Sequence, residues 1–130
     1  MQLRISNADG TPIYQQIVAQ VRHLIAAGRL QPGEELLPIR TLAEQLTVNP
    51  NTVARAYLEL ERTGVVTKRH GSGTYVSEDV APRPQREKLK MIRQRVDALL
   101  VEAAHLDIQL DVLIDLVRER HDAIRPEALR

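Results

Sequence analysis

The hydrophobic period of this 130-residue chain changes from 3.6 to 2 at Gly64, and that change limits the folds open to its first half. From Ile13 to Gly64 the apolar residues recur every three or four positions; from Val65 to Ser77 they alternate, as in a strand with one buried face. Ile13, Ile17, Val21, Leu24 and Ile25 define a first helix running to Ala27 and stopped by Gly28. Thr11-Pro12 before it reads as an N-cap followed by proline at the first helical position, where the missing N–H costs nothing. No helix passes through the turn Leu30-Gln31-Pro32-Gly33. Ile39, Leu42, Ala43 and Leu46 mark a short second helix, with Thr47-Val48 as its corner. Asn49-Pro50 opens a third, which turns Val53, Tyr57 and Leu60 inward and stops at Gly64.

Beyond Gly64, Val65–Arg69 and Thr74–Ser77 predict two strands, joined by the glycine-rich tip His70-Gly71-Ser72-Gly73. Leu3-Arg4-Ile5 also alternates and predicts a short strand ahead of an Asp9-Gly10 turn. Three helices followed by a two-stranded ribbon is the order of a winged helix-turn-helix. Two prolines in Val80-Ala81-Pro82-Arg83-Pro84 bar helix and central strand alike and mark a linker. After it Leu89, Ile92, Val96, Leu99, Ala103 and Leu106 are spaced alternately three and four apart, a narrow heptad seam. A break at Asp107-Ile108 separates this helix from a last one bearing Leu110, Val112, Leu113, Ile114, Leu116 and Val117. Its apolar residues cover most of its circumference, more than two helices bury between themselves, so a partner is expected. Leu110, Leu113 and Val117 join the seam as candidate dimer contacts, and the end from Arg125-Pro126 is expected to fray. The fold class is thus mainly α with a small β-wing. A winged helix-turn-helix domain spans 1–77, a linker 78–85, and a short two-helix dimerisation domain 86–130.

Composition narrows the chemistry. With no cysteine, disulfides, thiolate zinc sites and thiol nucleophiles are excluded. His23, His70, His105 and His121 share no metal-ligand spacing, and His121-Asp122 lacks the companions of a metal-dependent phosphohydrolase. No serine has a plausible base or oxyanion loop. An enzyme is not expected, nor a metal or cofactor. No apolar run approaches the roughly 20 residues that span a bilayer, and Met1-Gln2-Leu3-Arg4 has no signal-peptide core. A soluble, cytoplasmic protein without membrane contact is expected.

Charge is unevenly spread. Val65 to Arg95 holds eight basic and three acidic residues, a net of +5, while Val96 to Arg130 has a net of −4. A basic middle beside an acidic tail points to a polyanion at one part only. Asn49, Asn51 and Thr52 stand at the start of the third helix, with Arg55 one turn after Asn51 on the same side. A helix entering the major groove directs that first turn at base edges, where asparagine suits adenine and arginine suits guanine or phosphate. Free N–H groups at a helix start also attract phosphate. Lys68, Arg69 and His70 precede Gly71 and Gly73, whose missing side chains leave backbone N–H groups approachable. The chain has three tyrosines and no other aromatics. Tyr14 and Tyr57 read as packing residues and Tyr75 lies on the ribbon, so no base-stacking platform for RNA is expected.

A resemblance joins these pieces. Gly28-Arg29-Leu30-Gln31-Pro32-Gly33-Glu34-Glu35-Leu36 is similar to the G-x-L-x-P-G-x-x-L signature of the GntR family of bacterial transcription factors, and Arg40-Thr41-Leu42-Ala43 to its R-E-L-A. Val48-Asn49-Pro50-Asn51-Thr52-Val53, Arg55-Ala56-Tyr57 and Leu58 to Gly64 resemble the V-N-P-N-T-V-x-R-A-Y-x-E-L-E-x-x-G of the YtrA subfamily. Arg69 to Val76 matches its wing. The resemblance covers residues 3–77. It implies a repressor that binds a pseudo-palindromic double-stranded DNA operator as a homodimer. DNA contacts would fall on Arg40, on Asn49, Asn51, Thr52 and Arg55, and on His70 and Gly71. Two departures stand out. Relatives outside the subfamily carry arginine where Pro50 stands, so that contact does not transfer. Leu36-Leu37-Pro38-Ile39-Arg40 places its proline one position later than the usual L-P-S-E/V-R. The short tail resembles the subfamily's dimerisation helices, and two helices are too few to enclose a pocket of ~300 Å³ in one subunit. A small-molecule effector is left unassigned. The competing expectations are a non-specific architectural DNA-binding protein and a protein-interaction module.

Overall fold

The computed structural model describes residues 1–8, 10–80, 82 and 84–124. It divides into two compact units, Met1–Arg83 and Pro84–Arg130. The first contains α1 (Ile13–Ala26), α2 (Ile39–Leu46), α3 (Pro50–Arg62), β1 (Val66–Lys68) and β2 (Thr74–Val76). The helical and alternating patterns meet in one core. Ile17, Val21 and Ile25 of α1, Leu42 and Ala43 of α2, and Val53, Ala56, Tyr57 and Leu60 of α3 are buried together with Val66 and Val76. α3 packs on α1, on α2 and on β1. It is therefore held from three sides, which leaves one face for solvent.

Helices α1 to α4 end on the same device. Past each last turn one residue adopts a left-handed backbone: Gly28 (φ 77°), Thr47 (φ 55°), Gly64 (φ 80°) and Asp107 (φ 57°). The next N–H then returns to a carbonyl of the final turn, as in Arg29 N to Leu24 O (2.8 Å), Val48 N to Ala43 O (3.0 Å), Val65 N to Leu60 O (3.0 Å) and Ile108 N to Ala103 O (2.8 Å). This is the Schellman arrangement, which satisfies carbonyls the helix leaves unpaired. At Thr47 it closes the corner between α2 and α3.

β1 and β2 pair antiparallel with Val66 opposite Val76, Thr67 opposite Tyr75 and Lys68 opposite Thr74. The strands are shorter than the sequence predicts. The chain after the Pro32-Gly33 turn adds a short third arm: Leu36 N donates to Thr74 O and Val76 N to Glu34 O, both at 2.8 Å. Three residues are too few for alternation to reveal such a pairing in sequence.

Two local expectations are corrected. Leu3-Arg4-Ile5 is not a strand, because α1 side chains supply the hydrogen bonds a neighbouring strand would have given. Gln20 accepts Arg4 N–H (2.8 Å) through Oε1 and donates to Arg4 O (2.6 Å), and Gln16 Oε1 accepts Ser6 N–H (2.8 Å). Pro12, not Thr11, occupies the cap of α1, and its carbonyl accepts the Gln15 and Gln16 N–H groups at 3.0 and 3.2 Å. Asp9 of the predicted turn and the tail from Arg125 lie outside the described residues.

The second unit comprises α4 (Gln85–His105) and α5 (Leu110–Ile124). Its apolar seam is largely open in the single chain. Leu89, Ile92, Val96, Leu99, Leu106, Leu110 and Val117 are exposed, whereas Ala103 and Leu113 are buried. No helix among the described residues is long and apolar enough to cross a membrane.

Candidate nucleic-acid interface

The start of α3 is closed by its own side chains. Asn49 takes an extended backbone (φ −65°, ψ 133°) and its Oδ1 accepts Asn51 N–H at 2.8 Å. Pro50 has no N–H to satisfy, and Thr52 N–H donates to Asn49 O at 2.9 Å. Positions 50 to 52 therefore hold no spare backbone donor for a phosphate. What α3 offers an outside ligand at its tip is side chains: the amide NH₂ of Asn49, the amide of Asn51 and the hydroxyl of half-buried Thr52.

Asn51 and Arg55, four apart and exposed, lie opposite the buried Val53, Ala56, Tyr57 and Leu60. Arg62 continues this outer face but is clamped by Glu59, with Nη2 2.9 Å from both carboxylate oxygens. Among the described residues no carboxylate pairs with Arg55 in this way. Its guanidinium carbon lies 3.9 Å from the centre of the Tyr14 ring on α1. Leu58, also exposed, adds the one large apolar side chain on α3 that the core leaves uncovered among the described residues.

Arg40 stands in the first turn of α2, exposed. Tyr57 of α3 fixes the approach to that turn by donating its hydroxyl to Leu37 O at 2.6 Å. Burial raises the Tyr57 phenol far above the usual tyrosine range, so it remains a donor. Pro38 O accepts Leu42 N–H (3.0 Å) and starts α2 despite the displaced proline.

The ribbon tip is tightly closed. Arg69 N donates to Gly73 O (2.8 Å) and Ser72 N to Arg69 O (3.0 Å), and Gly71 turns the chain with φ 74°. Lys68, Arg69, His70 and Gly71 are exposed. Gly71 opens onto empty space, whereas a Cβ at Gly73 would come 2.7 Å from Glu35 Oε2. The gap at Gly73 is thus filled by a carboxylate of the same chain. Arg69 lies 4.0 Å from the Tyr75 ring centre, and its Nη2 4.0 Å from Glu78 Oε1. Tyr75 in turn meets Ser72 Oγ through its hydroxyl at 2.6 Å.

The predicted DNA-contact residues therefore fall in three places of one unit: Arg40 on α2, Asn49 at the cap of α3 with Asn51, Thr52 and Arg55 on it, and the basic ribbon tip. Sequence reasoning missed the two tyrosines that carry Arg55 and Arg69. Tyr14 and Arg55 are 41 positions apart, and nothing local in the sequence links them. The outlying pair His121 Nδ1 and Asp122 Oδ1 (3.3 Å) is exposed on α5, and among the described residues no cluster of three or more metal-ligating side chains forms.

A helix-turn-helix whose second helix bares an asparagine–arginine face, followed by a basic ribbon, defines a winged helix-turn-helix transcription regulator. The family model for bacterial regulatory proteins of the gntR family matches residues 13–76. The HTH-type transcriptional repressor YtrA of Bacillus subtilis strain 168 is 36% identical over 117 residues, 90% of each chain. A transcriptional antiterminator from Listeria monocytogenes EGD-e has a similar solved structure, with TM-score 0.61 and 30% identity, covering 100% of this chain and 98% of that one. YtrA from Sulfolobus acidocaldarius gives a TM-score of 0.54 at 38% identity, covering 74% of this chain and 97% of that one. The chain belongs to the GntR family, as a YtrA-like, DNA-binding transcriptional regulator and not an enzyme.

Proposed function

We propose that this regulator binds a pseudo-palindromic operator as a homodimer and represses transcription, working in the cytoplasm where its DNA is. The observation that carries the reading is the exposed Asn51–Arg55 face of α3, held opposite a fully buried seam. Asn49, Asn51, Thr52 and Arg55 read base edges in the major groove, with asparagine suited to adenine and arginine to guanine. Arg40 grips the backbone, and Lys68, Arg69, His70, Gly71 and Gly73 form a wing that meets phosphate or the minor groove. Repression is supported by the similarity to a protein named as a repressor.

The homodimer is supported by the open apolar seam of the second unit. Leu89, Ile92, Val96, Leu99, Leu106, Leu110 and Val117 leave far more apolar surface than scattered exposure explains. A second copy of the same surface covers it with two-fold symmetry, which matches a palindrome. Ala103 and Leu113 then support the seam from within each copy.

Selection of bound duplexes from a random pool tests the whole reading. The expected product is two inverted half-sites at a fixed separation. Recovery of random sequence at fixed salt would instead make the chain a non-specific DNA coat, and a single half-site would remove the dimer.

A further inference from the structure

We propose that Tyr14 is a positioning residue that sets the base preference of α3 by holding the Arg55 guanidinium. The proposal rests on the reading of Arg55 as a DNA contact and adds the means by which an exposed arginine is aimed. Arg55 is exposed and, among the described residues, no hydrogen bond or ion pair engages its guanidinium. Among the described residues its partner is the Tyr14 ring, 3.9 Å from the guanidinium carbon. That ring is itself fixed. Tyr14 is half-buried and packs against the core, and its hydroxyl accepts Gln15 Nε2 at 3.1 Å.

The chemistry of the two partners makes the arrangement selective. A guanidinium rests on a ring through its flat face and donates hydrogen bonds through its edge. Seated over the Tyr14 ring, Arg55 is restrained with none of its donors spent on a hydrogen bond or ion pair among the described residues. Guanine needs two parallel donors for O6 and N7, which a restrained guanidinium edge supplies. A carboxylate would fix the side chain differently, as at Arg62. There Glu59 occupies the donors and neutralises the charge. Tyr14 leaves Arg55 both its donors and its attraction for DNA. The α1–α3 packing thus becomes part of sequence reading, although Tyr14 need not touch DNA.

The test measures binding of full-length Tyr14→Leu, Tyr14→Phe, Arg55→Ala and Tyr14→Leu/Arg55→Ala to the selected operator and to its single-base variants. Tyr14→Leu is expected to weaken operator binding about two- to five-fold, the size of an exposed cation–π contact. The loss is expected at the same base pair whose preference Arg55→Ala abolishes, with the salt dependence unchanged. Tyr14→Phe keeps the ring and restores the preference. In the Arg55→Ala background the Tyr14→Leu change adds nothing. Equal weakening in both backgrounds, or on every sequence alike, would overturn the proposal and make Tyr14 a packing residue only. A silent Arg55→Ala would overturn it from beneath, by removing Arg55 from the DNA contacts. Tyr14→Met, unbranched and more adaptable than leucine and equally without a π face, serves where Tyr14→Leu does not fold.

Discussion

Asn49 Oδ1 accepts the Asn51 N–H at 2.8 Å, so a residue proposed to read DNA also holds the first turn of α3 together. The two roles separate by substitution. Asn49→Ala removes the cap and is expected to lower stability by about 1 kcal/mol, measured by thermal unfolding. Asn49→Ser keeps an oxygen for the cap and loses the amide. Unchanged melting with weaker operator binding at one base pair assigns the amide to a base. If affinity simply tracks melting across both variants, Asn49 is a cap and nothing more.

Tyr57 joins α3 to the chain ahead of α2 through its 2.6 Å hydrogen bond to Leu37 O. Tyr57→Phe leaves that carbonyl without its donor and is expected to cost about 1–2 kcal/mol in denaturant unfolding. The pH dependence has a definite sign. Burial raises the native phenol above its ordinary value of 10.0, so the unfolded chain loses this proton first as pH rises. The Tyr57 contribution is complete below pH 10 and declines above it, by up to about 1.4 kcal/mol per pH unit. Wild-type stability should therefore fall more steeply than that of Tyr57→Phe in alkaline buffer. Parallel curves for the two proteins would contradict this account.

The helices, the ribbon and the polar start of α3 were legible because local chemistry specifies them. Periodicity placed Ile17, Val53 and Leu60 inside, and Asn49-Pro50 and Gly64 marked the ends of α3. What escaped was tertiary. Leu3 to Ile5 has a strand's alternation, but Gln16 and Gln20 fill the place of a neighbouring strand, and two glutamines on a helix look merely polar in sequence. The spare donors expected at the start of α3 were already spent on Asn49. Tyr14 was legible as a packing residue and not as a support for Arg55, because that pairing exists only once α1 and α3 cross.

Thr47 is a β-branched residue in the left-handed region, with φ 55°, at the corner between α2 and α3. A Cβ there crowds the backbone, and glycine does not suffer this. Thr47 is exposed, so Thr47→Gly forfeits little packing. It is expected to raise stability by about 0.5–1 kcal/mol, after allowing for the greater freedom of glycine in the unfolded chain. Gly64→Ala, with φ 80° and open space around it, is expected to cost about 1–2 kcal/mol. Opposite shifts in melting temperature for the two variants would confirm that this one backbone conformation governs both helix ends.

Leu99 provides the sharpest test of the proposed dimer, because 42% of its surface is still open in the single chain. A partner that covers it gains roughly 1 kcal/mol from each copy, a part of the 1.5–3 kcal/mol for complete burial. Leu99→Asp removes that gain twice in a two-fold interface and faces two carboxylates with desolvation. The dimer dissociation constant should rise by a factor of at least about 30, read by sedimentation equilibrium. Gln94→Asp is the matched control: the same charge goes onto the same helix, on the side of α4 away from the seam. It should leave association unchanged. Operator affinity is expected to fall with Leu99→Asp and not with Gln94→Asp, since a monomer holds only one half-site. Equal association of Leu99→Asp and wild type would show that the helical unit pairs through another surface or not at all.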